Sequence, residues 1–163
     1  MIRSRAAREK AQAIIQMYNI AEPPIDINYI ARKLGFEVLP FDFPETISAV
    51  IKIKDLKKII GVNKKHALTR QRFSIAHELG HYLSGHEDHD SENTFIDREK
   101  KYLNRSHRME EEADEFAAEL LMPEGMLKKD FTNGEKNAAT LSFKYQVSEQ
   151  AMLIQLVNLK LLT

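Results

Sequence analysis

The sequence predicts an α+β domain, and three observations carry that reading. Helical patterns occupy both ends of the chain. Three short segments rich in β-branched residues lie together between residues 36 and 63, and two longer helical stretches follow them. At 163 residues the chain is most simply one domain, residues 1–163, long enough to enclose a hydrophobic core. Within it, residues 1–35 read as N-terminal helices and 36–63 as a small three-stranded sheet. Residues 69–123 read as a core that carries five of the six histidines, and 135–163 as C-terminal helices.

Each element has a local cause. Arg5 to Asn19 has amphipathic helical spacing and ends before "EPPID", where Pro23 and Pro24 forbid its continuation. "DINYIARKLGF" offers Asp26 as a helix cap and Gly35 as a helix end. "FEVLPFD", "TISAVIKI" and "KIIGVN" are strands bounded by turn formers. "TRQRFSIAHELGHYL" returns to helical character, and the polar run from Ser84 to Ser106 reads as a long loop. "HRMEEEADEFAAELL" is a helix stopped at Met122-Pro123. In "EKNAATLSFKYQVSEQAMLIQLVNLKLL" two helices break near Val147, with Ser148 as the cap of the second and Glu149 next to it.

Composition narrows the function. Lys plus Arg and Asp plus Glu number 24 each, so no overall charge draws the chain to nucleic acid or to an anionic membrane. Cysteine is absent, which excludes disulfides and thiolate metal ligands; a metal must be held by histidine and carboxylate. The basic start is interrupted by Gln12, Gln16 and Asn19, so it reads as an amphipathic helix and not as a signal peptide. No apolar run approaches the roughly 18 residues of a membrane span. The expected setting is the reducing cytoplasm.

Four of the six histidines fall within "RFSIAHELGHYLSGHEDHD". On a helix, His77 and His81 project about 40° apart and stand one turn apart, so both imidazoles can reach one ion. Glu78 projects about 100° away, within reach of a metal-bound water but poorly aimed as a ligand. This is zincin geometry: two imidazoles bind zinc, whose water has a pKa near 7, and the glutamate takes its proton and passes it to the leaving amine. Ile75, Leu79 and Tyr82 lie on the opposite face, for packing. Gly80 costs about 1 kcal/mol of helix stability relative to alanine, which is tolerable if something approaches closely there. An H-E-x-x-H string fixes three of five positions and also occurs by chance; a third ligand distinguishes the two cases.

The continuation His-x-x-Gly-x-x-His fails, because Ser84 stands where the glycine belongs and Glu87 where the histidine belongs. His86 and His89 are loop histidines on this reading. The other source is the acidic helix. Its apolar stripe is Met109, Ala113, Phe116, Ala117 and Leu120, and Glu110 lies about 60° from the stripe centre, at the core boundary. Glu112 lies about 100° off and is the reserve candidate. Asp114, one turn beyond Glu110, can accept the Nδ1–H of a ligating histidine and fix its tautomer. Glu111, Glu115 and Glu119 read as a solvated face.

His77-Glu78-Leu79-Gly80-His81, followed by Glu110-x-x-Ala113-Asp114-x-Phe116-Ala117-Ala118-Glu119-Leu120-Leu121-Met122-Pro123, resembles the ImmA/IrrE family of zinc metallopeptidases. Pro-Pro-Ile-Asp at residues 23–26, "IARKLGFEV" and "VSEQAM" extend the resemblance over nearly the whole chain. It implies a small zincin-type fold, zinc on His77, His81 and Glu110, Glu78 as the catalytic base, and Asp114 supporting a histidine as in gluzincins. It also implies a protein substrate: family members often cleave a helix-turn-helix repressor encoded nearby and so relieve repression in mobile elements or stress responses. Larger relatives carry further domains after the peptidase core, and this chain is expected to lack them. Two features depart from the family pattern. One is "YLSGH", where an aliphatic-aliphatic-His ending is commoner; the other is the polar loop from Ser84 to Arg108.

Manganese or iron suits the same ligands, although two histidines and one glutamate with an open fourth position favour zinc. By resemblance to gluzincins, "TISAVIKI" or "KIIGVN" supplies a strand edge for the peptide. Arg72, Tyr82 and His107 are candidate substrate contacts, set against ordinary roles as surface charge, packed aromatic and helix-end residue. Two other functions compete. One is a zinc-containing protein that sequesters its repressor uncut; the other is a DNA-binding regulator built on the last two helices. Those helices carry only Lys144 and Lys160 as basic residues, a poor basis for phosphate contacts.

Overall fold

The computed structural model describes residues 4–86 and 106–162. The elements run α1 (Arg5–Met17), α2 (Ile27–Lys33), β1 (Phe36–Phe41), β2 (Ala49–Lys54), β3 (Lys57–Asn63), α3 (Leu68–Leu83), α4 (His107–Leu121), α5 (Glu124–Thr132), α6 (Ala138–Tyr145) and α7 (Glu149–Asn158). The class is therefore α+β, as the sequence predicts. Side-chain caps start several helices where expected. Asp26 accepts a hydrogen bond from the Tyr29 amide, and Ser148 from that of Ala151. Gly35 closes α2 with a φ of 90° that a side chain would resist.

The sheet has the order β1-β3-β2, with β1 parallel and β2 antiparallel to β3. Lys54 pairs with Lys57 across the two-residue turn Asp55-Leu56. Since β3 is flanked on both sides, "KIIGVN" has no edge to offer a peptide. Of the two strands considered for that role, β2 is the one on the outside of the described sheet. One face of the sheet meets α3, whose Ile75 and Leu79 enter a core with Ile51, Ile60, Phe36 and Ile30.

α3 and α4 cross closely, and this crossing positions the site. A Cβ on Gly80 would lie 3.1 Å from Phe116 Cδ1 and 3.2 Å from both Cα and O of Ala113. A methyl group there would press on the main chain of α4, which would have to give by a few tenths of an ångström. On an open helix, alanine in place of glycine gains about 1 kcal/mol; against a main-chain neighbour the sign is expected to reverse. Gly80→Ala is expected to cost about 1–3 kcal/mol through overpacking, read as a lower denaturant midpoint. A higher midpoint would show that α4 yields to the methyl group.

Two expectations for α4 need correction. The sequence pattern puts Glu115 and Glu119 on a solvated face, yet both are buried, Glu119 to 1% exposure. The reason is that α4 is enclosed on more than one side: α3 packs on one face and α1 on another. Glu119 accepts hydrogen bonds from Gln12 Nε2 on α1 (3.2 Å) and from the Glu124 amide (3.1 Å), at the start of α5. Burial pushes its carboxyl above the ordinary range despite those donors. The helix α5 is not among the elements the sequence pattern predicts. It begins directly after Pro123, so the proline that stops α4 also precedes the next helix.

Candidate metal centre

α3 carries His77 and His81 on one face, and Ser106 starts α4 by accepting from the Met109 amide, which places Glu110 in its first turn. The three side chains meet. His77 Nε2 and His81 Nε2 stand 3.0 Å apart, and the Glu110 oxygens lie 2.9 Å from the first and 3.1 Å from the second. Among the described residues, these three form the group able to hold a metal ion. It is Glu110, not the reserve candidate Glu112, that stands with the imidazoles.

The donor set fits a divalent transition metal. Bonds of about 2.0–2.1 Å in a tetrahedron place ligand atoms about 3.3 Å apart, a few tenths of an ångström wider than the separations here. His81 is fully enclosed and His77 is 17% exposed, while Glu110 is 40% exposed at its side chain. Asp114, on the next turn of α4, accepts the Nδ1–H of His77 at 2.8 Å, as its spacing suggested. That contact leaves the Nε2 lone pair of neutral His77 directed at the shared centre.

The electrostatics are those of a cation site. Burial alone would lower the pKa of His77, but Asp114 and Glu110, with the nearby charge of Glu78, push it up to about 9. For Glu110, partial burial works toward a higher pKa. The hydrogen bonds from His77 and His81 outweigh it and hold the carboxyl far below the usual range. Glu78 is buried at 5% exposure, beside His77 on α3.

The remaining candidates part company with the site. Arg72 donates to the Gln146 and Tyr145 carbonyls (3.0 and 3.4 Å), capping the end of α6. Tyr82 accepts from Lys58 of β3 at 2.9 Å and packs edge-on against Phe36 of β1, so it ties α3 to the sheet. His107 is an exposed helix-end residue paired with Glu111 at 2.8 Å. Residues 87–105, and with them His89 and most of the polar loop, lie outside the described residues.

The sequence reading missed a second set of contacts. His86 Nδ1 lies 3.0 Å from His81 Nδ1, and His86 Nε2 lies 2.9 Å from Glu112 Oε2. The signal was present in "HYLSGH". Gly85 takes a φ of 71°, its amide bonds to the Tyr82 carbonyl and the His86 amide bonds to the His81 carbonyl. This is a Schellman ending, which brings the residue after the glycine against the third residue from the helix end. Here those two residues are His86 and His81.

Residues 31–157 match the family described as Peptidase M78, IrrE N-terminal-like domain. Among solved structures, a Mycobacterium tuberculosis transcriptional regulator is similar, with a TM-score of 0.66 and 14% sequence identity, over 92% of this chain and 46% of that one. At that identity the likeness is one of fold, and the chain spans about half the length of that regulator. No curated protein matches the chain. The family match begins within α2 and ends within α7, taking in both helices that build the His77, His81 and Glu110 cluster. On that match the chain belongs to the M78 peptidase family with the IrrE N-terminal-like domain.

Proposed function

We propose that the protein is a zinc-dependent endopeptidase that makes a limited cut in a regulatory protein, with His77, His81 and Glu110 as metal ligands and Glu78 as general base and acid. The single observation that carries this reading is the convergence, from two helices, of His77 Nε2 and His81 Nε2, 3.0 Å apart, with the Glu110 carboxylate, whose Oε2 lies 2.9 Å from the first and whose Oε1 lies 3.1 Å from the second. Membership of a metallopeptidase family implies a metal ion, and this cluster has the donors to hold one. A zinc ion there supplies a Lewis-acidic position that polarises a carbonyl and lowers the pKa of a coordinated water to about 7.

The protein's own residues do the rest. Asp114 holds the His77 ring by its Nδ1–H, so that Nε2 serves as the donor. The Glu110 carboxylate joins from the first turn of α4, where the helix N-terminus favours negative charge. Glu78, next to His77 on α3, takes the proton of the attacking water and delivers it to the leaving amine.

The substrate we infer, from the family resemblance in the sequence, is a helix-turn-helix repressor encoded nearby. The test is to mix the two proteins and examine the products by mass spectrometry. One discrete cut that disappears in Glu78→Gln supports the enzyme. A stable complex with intact repressor overturns it in favour of sequestration. The DNA-binding reading has less to stand on, because the Lys144 ammonium is engaged by Asp130 and Glu135, at 2.7 and 2.8 Å. No described helix is long and apolar enough to cross a membrane, which is compatible with the proposed cytoplasmic setting.

A further inference from the structure

We propose that His86, backed by Glu112, is a positioning residue that sets the tautomer and ring orientation of the ligand His81. The inference rests on the metal-site reading above and extends it to two residues outside the ligand set. The hydrogen-bond directions follow from the chemistry of the groups. An ionised Glu112 can only accept, so His86 Nε2, 2.9 Å from Glu112 Oε2, must be the donor. A neutral His86 protonated at Nε2 has its lone pair at Nδ1, which lies 3.0 Å from His81 Nδ1. His81 Nδ1 is therefore the donor across that contact. Neutral His81 is left with its lone pair at Nε2, the atom that stands with His77 and Glu110.

The arrangement parallels the one on the other histidine. His77 is oriented directly by a carboxylate, Asp114. His81 lies deeper, and the carboxylate on its side acts through an interposed imidazole. Two features make the relay a built one. The helix ending at Gly85 delivers His86 to His81, and Arg108 Nε donates to the other oxygen of Glu112 at 3.2 Å. The His86 side chain is 8% exposed, so water does not readily replace its contacts.

The test is the dissociation constant of Zn²⁺ for the full chain, measured by competition with a chromogenic chelator, alongside thermal unfolding of the metal-free protein. His86→Ala is expected to weaken Zn²⁺ binding by about 10–100-fold, the usual effect of losing a partner behind a ligand. His86→Gln should recover most of that loss, because its amide oxygen and nitrogen reproduce the spacing of the two ring nitrogens. Glu112→Ala added to His86→Ala should cost little more, since both act through one contact. Affinity within threefold of wild type in His86→Ala overturns the relay. So does an equal loss in His86→Ala and His86→Gln, or a loss that tracks a lowered unfolding temperature. A wild-type chain that takes up no Zn²⁺ removes the metal-site reading and the relay together, whereas wild-type uptake with an indifferent His86→Ala removes the relay alone.

Discussion

Glutamine in place of Glu78 is expected to lower cleavage of the repressor by about 10²–10⁴-fold while Zn²⁺ uptake stays as in the wild type. The substitution is nearly isosteric, so the packing of α3 is kept. A buried side chain at 5% exposure retains its place, and only the ability to accept and return a proton is lost. The separation of readouts matters here. Glu78 projects off the ligand face of α3, so metal affinity should change little, whereas His77→Ala should remove both metal and activity. Turnover within tenfold of wild type in Glu78→Gln would take the proton transfer away from this residue. Activity lost together with Zn²⁺ would instead assign Glu78 to the metal's support.

Much of this centre is legible in the sequence because its parts are local. Two histidines four residues apart share a helix face whatever the rest of the chain does, and Glu110 and Asp114 repeat that spacing on α4. Caps are equally local, as Asp26 and Ser148 illustrate. What escaped depends on partners distant in sequence. An amphipathic helix analysed alone is assumed to have one buried face, but α4 is packed by both α3 and α1, and Glu119 finds Gln12 across 107 positions of chain. Its burial cannot be inferred from the acidic run around it. His86 lies between these cases. The glycine that redirects the chain is visible, but the partner that gives the contact its direction, Glu112, sits on the other helix. Sorting Glu110 from Glu112 had the same dependence. Their angular difference along α4 favours Glu110, and the structure gives the two carboxylates different histidines: Glu110 reaches His77 and His81, and Glu112 reaches His86.

That division predicts the second large effect. Glu110→Gln should weaken Zn²⁺ binding by well over the roughly 10–100-fold expected when a supporting partner is lost, because it replaces an anionic ligand by a neutral amide. Repressor cleavage should fall with it at sub-saturating metal and partly return in excess Zn²⁺. The pH dependence has a defined sign. His77, raised from 6.5 to about 9, carries a proton at neutral pH in the metal-free chain, and that proton must leave before Nε2 can bind. Wild-type affinity should therefore climb as pH rises from 6 toward 9, by up to about tenfold per unit for one displaced proton. In Glu110→Gln one of the groups holding that proton is gone, so the climb should level off at lower pH. Calorimetry in buffers of different ionisation enthalpy reads the released proton directly. An affinity that is flat across this range would show that His77 holds no proton for the metal to displace. A Glu110→Gln chain that binds Zn²⁺ as tightly as wild type would show that the carboxylate beside the two imidazoles is not a ligand, and the case for the metal centre would fall with it.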